Sequence, residues 1–195
     1  MARYKIGILV GSLREGSFNK RVAKSVCAIE SDRLDCEMVQ IGDLPLYNQD
    51  FDGLPEQPPE YVRFRDHIRS SDGVLFVSPE YNRGIPGVLK NAIDAGSRPY
   101  GQSVWNQKPA AIVTASPGAI GGFGANHQIR QSCVFLNMPV MQHPEAYLSK
   151  ISDDDFGEDG ILKEGSTREF VQSVANAFAD WVHLIHEAQG LIAVR

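Results

Sequence analysis

Cysteine is scarce in this chain: three in 195 residues, at positions 27, 36 and 133, with no Cys-x-x-Cys among them. An odd, widely spaced set excludes a disulfide framework and fits reduced, buried thiols in a cytoplasmic protein. Long apolar runs are missing too, since no stretch reaches the ~20 residues needed to span a bilayer. The opening Met1-Ala-Arg-Tyr-Lys5 lacks the apolar region and small-residue cleavage site of a secretory signal. Positive charge is in deficit, with 19 Lys plus Arg against 24 Asp plus Glu and a formal charge of −5. That balance disfavours nucleic acid or an anionic membrane surface as a partner.

Several catalytic spellings are also absent. Gly-x-Ser-x-Gly does not occur, and His127 precedes no Ser or Cys motif, so nucleophilic triads are disfavoured. His183, His186 and Glu187 fall within one helical turn, but no carboxylate or cysteine cluster elsewhere completes a metal set. In the acidic run Asp153–Gly160, aligning Gly160 with the glycine of a calcium loop puts Ser166 where a bidentate Glu is required. The sequence therefore predicts no metal site. What is present, 43% hydrophobic and 22% charged residues, describes an ordinary globular chain, read as one domain over residues 1–195.

The hydrophobic pattern alternates short apolar runs with helical spacing. Strands are expected at Tyr4–Val10, Cys36–Ile41, Gly73–Ser78 and Pro109–Ala115, with a last one at Pro139–Gln142 plus Ala146–Leu148, interrupted at His143-Pro144. Helices are expected after the first strand to about Glu30, then over Tyr61–Ser71, Pro86–Ala95, Gly124–Leu136 and Thr167–Gln189. The third and fourth strands are almost continuously apolar, the mark of strands covered on both faces. Such alternation implies an α/β fold: a five-stranded parallel sheet between helices, joined by right-handed crossovers. Ligands of these sheets sit beyond the carboxyl ends of the strands. The loops after the first, third and fourth strands are therefore the informative ones.

Gly11-Ser-Leu-Arg-Glu-Gly-Ser-Phe-Asn19 combines glycines, hydroxyls, a guanidinium and an amide just before a helix. Backbone N–H groups and the positive dipole end of the helix attract an anion there. Ser12, Ser17 and Asn19 add hydrogen bonds, and Arg14 a charge-assisted one. The dinucleotide fingerprint Gly-x-Gly-x-x-Gly is absent, and Ser17-Phe18 stand where a P-loop needs Lys-Ser/Thr. An alternative is that Ser17 only caps the helix while Arg14 is a solvated charge. After the third strand, Pro79-Glu-Tyr-Asn82 turns sharply and offers the Tyr81 ring to a planar ligand, unless that ring merely packs under the loop. After the fourth, Ser116-Pro-Gly-Ala-Ile-Gly-Gly-Phe-Gly124 has four glycines in nine residues, which admit close backbone approach. An anion cradle and two walls for a flat polar ring system match the two parts of flavin mononucleotide (FMN).

Gly11-Ser-Leu-Arg-x-x-Ser-x-Asn19, Pro79-Glu-Tyr-Asn82, Gly84-x-Pro-Gly-x-Leu-Lys-Asn-Ala-Ile-Asp94 and Gly121-Gly122 occur in one order, with Phe156-Gly-Glu-Asp-Gly-Ile-Leu162 before the last helix. In these motifs the chain resembles the NAD(P)H-dependent FMN reductases, and within them the bacterial soluble quinone and chromate reductases. The resemblance implies a flavodoxin-like three-layer α/β/α sandwich with strand order 2-1-3-4-5. It implies that Ser12, Arg14, Ser17 and Asn19 hold the FMN phosphate, with Phe18 nearby. By the same resemblance Pro79, Glu80, Tyr81 and Asn82 line the isoalloxazine, as do Ser116, Gly118, Gly121 and Gly122. The expected activity is hydride transfer from NADPH or NADH to FMN and onward to a quinone, flavin, chromate or azo acceptor, with no catalytic side chain required. An electron carrier of the flavodoxin kind and an FMN-binding sensor are the rival readings. A homodimer or homotetramer is expected, with Arg83 and Arg98 as contacts for the nicotinamide nucleotide or a neighbouring subunit.

Overall fold

The third and fourth strands are buried along their whole length, and the rest of the architecture follows from covering them. The computed structural model of the protein describes residues 3–30 and 32–193. Strands β1 (Tyr4–Val10), β2 (Leu34–Met38), β3 (Gly73–Ser78), β4 (Ala110–Ala115) and β5 (Ala146–Leu148) form one parallel sheet in the order 2-1-3-4-5. Helices α1 (Phe18–Ile29), α2 (Pro59–Ser70), α3 (Gly87–Gly96), α4 (Phe123–Phe135) and α5 (Ser166–Ala193) cover it. The expected topology is borne out.

Period-two alternation sorts each strand between two cores. Ile6, Ile8 and Val10 of β1, Leu75 and Val77 of β3, and Ala111 and Val113 of β4 meet Val22 and Val26 of α1 and Val174, Phe178 and Val182 of α5. On the opposite face, Leu9, Val74, Phe76 and Ile112 meet Tyr61, Phe64 and Ile68 of α2, Leu89 and Ile93 of α3, and Ile129 and Cys133 of α4. Trp105, fully buried against α2, α3 and β3, fills the second core.

Two strands differ from expectation. β2 runs Leu34–Met38 rather than Cys36–Ile41, because β1 pairs with it from Tyr4↔Leu34 to Ile8↔Met38. Val39 and Ile41 are apolar because they sink into the second core as the chain leaves the strand. At the other edge only Ala146–Leu148 forms β5, while Val140 makes a single bridge to Ala110.

The thiols are free, as expected. Cys27 and Cys36 are half-buried neighbours across α1 and β2, and the hydrogen bond between them, helped by burial, holds the Cys27 thiol above its ordinary value. Burial pushes the Cys133 thiol from 9.0 up to about 12. The native state therefore keeps a proton that the unfolded chain releases, so this group lowers stability as pH rises from 9.0 towards 12. The slope is at most about 1.4 kcal/mol per pH unit. Urea denaturation of Cys133→Ala should show a shallower alkaline loss over that range than the parent; equal slopes refute the assignment. The imidazoles of α5 are engaged in the fold, with His183 Nδ1 2.8 Å from the Tyr4 hydroxyl and His186 Nε2 3.0 Å from the Asp72 carbonyl.

Candidate functional site

The chain reverses direction across the sheet between β1 and β3, and a cavity of about 250 Å³ opens at their carboxyl ends. Its wall is made by Ser12, Arg14, Ser17, Phe18 and Asn19 from the loop after β1, Pro79, Glu80 and Tyr81 from the loop after β3, and Ala115, Ser116 and Pro117 from the end of β4. This is the place that the doubly wound topology reserves for ligands. Four residues expected at the site, Asn82, Gly118, Gly121 and Gly122, do not line this cavity.

The first loop is fixed at both ends. Gly11 donates its N–H to Val77 at 2.9 Å, and a Cβ at Gly11 would stand 2.4 Å from the buried Ser78 hydroxyl, so only glycine fits. Ser17 ends the loop as N-cap of α1, accepting from Lys20 N at 3.3 Å. Accepting a bond leaves the Ser17 hydroxyl proton free to donate, so capping and ligand binding are compatible. Ser12, Ser17 and Asn19 are buried, whereas Arg14 is exposed at the mouth. Arg14 rests against the Phe18 ring, 5.9 Å from its centroid.

Asn19 carries the most informative atom. Its Nδ2 donates to the Ala115 carbonyl at 3.1 Å, yet its buried Oδ1 has no partner. An unpaired buried acceptor costs about 1–3 kcal/mol unless something donates to it. A polyhydroxylated ligand supplies such donors.

Behind Phe18, Phe156 lies parallel at 6.1 Å and the Arg21 guanidinium stacks on both rings, at 5.1 Å and 4.5 Å. Arg21 also pairs with Asp153. The Phe156–Leu162 segment thus braces the first turn of α1, anchored by Leu162 N donating to Ser25 Oγ at 2.9 Å. Sequence reading missed Arg21, whose position one turn into a helix that begins with a ligand loop was the available signal.

The second loop is a tight hairpin. Tyr81 and Gly84 exchange backbone bonds at 3.0 and 2.9 Å around Asn82 and Arg83, whose φ values are 50° and 68°. Tyr81 is 51% exposed, so its ring does not pack beneath the loop. In the third loop, Gly121 and Gly122 have φ of 63° and 81°. Their bareness serves the fold: added Cβ atoms would lie 2.9 Å from the Tyr147 backbone and 2.8 Å from Thr114. Gly118 has only the Ser116 hydroxyl near it, at 3.3 Å from an added Cβ.

A larger cavity of about 520 Å³ lies between α3 and α4, lined by Tyr47, Lys90, Asp94, Arg98 and Phe135 among others. No group of three or more metal-ligating side chains occurs among the described residues. Among them, too, no helix is long and apolar enough to cross a membrane.

The model of the NADPH-dependent FMN reductase family matches residues 4–153. The chain belongs to that family. A quinone reductase of Pseudomonas putida strain KT2440 is 56% identical over 182 residues, 93% of this chain and 96% of that protein. A 2-hydroxy-1,4-benzoquinone reductase of Burkholderia sp. is 43% identical over 179 residues, 91% and 96% of the two chains. Among solved structures, the flavoenzyme NAD(P)H:(acceptor) oxidoreductase FerB of Paracoccus denitrificans superposes with a TM-score of 0.87 at 38% identity, covering 92% of this chain and 97% of its own. The cavity at the β1–β3 switch thus lies within the part of the chain that defines the FMN reductases.

Proposed function

We propose that this protein is an NAD(P)H-dependent, FMN-containing oxidoreductase whose acceptors are quinones. The observation that carries the reading is the cavity where a capped helix N-terminus, a guanidinium and an unpaired buried amide oxygen converge beside two loop walls. The donor set fits FMN. Ser12, Ser17 and the first N–H groups of α1 would hold its phosphate, with Arg14 closing the mouth, and Asn19 Oδ1 would accept from its hydroxylated chain. Tyr81 and Asn82, with Ser116 and Gly118, would border the ring system, and Phe18 would steady Arg14.

When bound, the flavin supplies the hydride relay between nicotinamide and acceptor, so the protein's share is binding and orientation. Arg14 and the α1 dipole would neutralise the dianionic end of the bound group. Pro79 sets the direction of the hairpin.

Residues 1–195 form one FMN-binding domain in this reading, at work in the cytoplasm. The molecule acts as a homodimer or homotetramer. Val134, Phe135 and Tyr100, which are 77%, 89% and 90% exposed beside the groove between α3 and α4, support a second copy there. Arg83 and Arg98 remain assigned to nucleotide or subunit contacts.

Purified protein should be yellow, should bleach on anaerobic addition of NADPH or NADH, and should consume the nucleotide steadily once a benzoquinone is added. Bound flavin that no nicotinamide reduces would leave an electron carrier or sensor in its place.

A further inference from the structure

Helix α4 begins without a cap of its own. Gly122 occupies its N-cap position with φ 81° and offers no side-chain oxygen. The vacancy is filled from another loop: Glu80 Oε2 accepts from Ala125 N, the third residue of the helix, at 3.1 Å. A carboxylate there satisfies a free first-turn N–H and complements the positive end of the helix. The other oxygen, Oε1, faces Arg83 Nη1 at 3.4 Å, and the Glu80 side chain is only 11% exposed.

A second clamp lies one turn further along α4. Gln128 Oε1 accepts from Ile85 N at 3.1 Å, and its Nε2 donates to the Arg83 carbonyl at 3.3 Å. Between the two, Gly124 lets the loops close: a Cβ there would meet the Arg83 carbonyl oxygen and Glu80 Oε2, each at 2.9 Å. These contacts grip the hairpin that holds Asn82 and Arg83 in the left-handed region. For a bulky residue such as Arg83 that conformation is costly, and it persists only where surrounding contacts impose it.

We infer that Glu80 is a positioning residue: its carboxylate, with Gln128, clips the Tyr81 hairpin to the N-terminus of α4 and so sets the spacing between the two walls of the flavin site. This rests on the FMN reading above and changes the part Glu80 plays in it. The carboxylate acts through the hairpin and α4, and the wall facing the ring is carried by Pro79 and Tyr81 of the same loop.

The test separates the clip from the cofactor. In the apo-protein, amide hydrogen exchange at residues 81–85 and 123–126 should quicken in Glu80→Ala, less in Glu80→Gln, whose amide oxygen can still accept from Ala125. Gln128→Ala should speed exchange at 84–85. With FMN, Glu80→Ala should raise the dissociation constant about tenfold or more and broaden or shift the visible flavin bands. Glu80→Gln should restore most of both. Unchanged apo exchange in Glu80→Ala overturns the clip. Quickened exchange with unaltered FMN affinity and spectrum overturns its role in spacing the walls. A parent protein that takes up no FMN overturns the cofactor reading, while the exchange arm still decides the clip.

Discussion

Replacing Arg14 and Ser17 together by alanine should weaken FMN binding by about 2–4 kcal/mol, roughly 30- to 1000-fold in dissociation constant. The figure combines one charge-assisted and one neutral hydrogen bond. Ser17 has a second task, however, because its hydroxyl also caps α1 through Lys20 N. Its loss alone should cost the fold about 1 kcal/mol, whereas glycine at an N-cap costs only a few tenths. Arg14→Ala/Ser17→Gly therefore keeps most of the helix while removing the ligand's donor, and it should bind FMN as poorly as the double alanine variant. Fluorescence titration of apo-protein reads both constants. An unaltered constant in both variants refutes the phosphate assignment, whereas full affinity in the glycine variant alone would make the effect one of helix stability.

The largest effect on the fold is expected at Trp105. It is completely buried, donates Nε1 to the Ile93 carbonyl at 2.9 Å, and packs edge-on to Phe64 with ring centroids 5.9 Å apart. Trp105→Ala leaves a cavity under α3 and removes one of the two bonds to the Ile93 carbonyl, which keeps Ser97 N at 3.2 Å, and should cost about 3–5 kcal/mol. For a chain of this size that corresponds to a Tm lower by roughly 10 °C. Trp105→Phe should lose less, since it keeps most of the ring volume and forfeits the hydrogen bond. A loss below about 1 kcal/mol in Trp105→Ala, measured by urea or thermal unfolding, would show that the second core closes over the gap.

Trp105 also marks where sequence reading stopped. Nothing in Gln102–Lys108 repeats with helical or strand period, so its burial depended on a surface assembled from α2, α3 and β3. The buried strands β3 and β4 were legible because their runs are apolar without interruption, and the ligand loop after β1 because its residue types serve one purpose. β2 begins two residues and ends three residues ahead of the expected bounds, since Val39 and Ile41 look alike in a strand and in a buried connection. Gly121 and Gly122 were read for ligand approach, whereas the neighbours that demand bareness are Tyr147 and Thr114, brought close by β5 and β4. Glu80 could be assigned to the site from its motif, but its bond to Ala125 crosses 45 residues and exists only after both loops have folded.

The sheet has brief margins, five residues in β2 and three in β5. Little free backbone is therefore presented for a neighbouring molecule to add a strand, the route by which exposed borders template filaments. Crowding should drive copies of this protein together through side chains on helical faces, in closed and reversible assemblies, and a concentrated preparation should stay clear where a long bare border would gel.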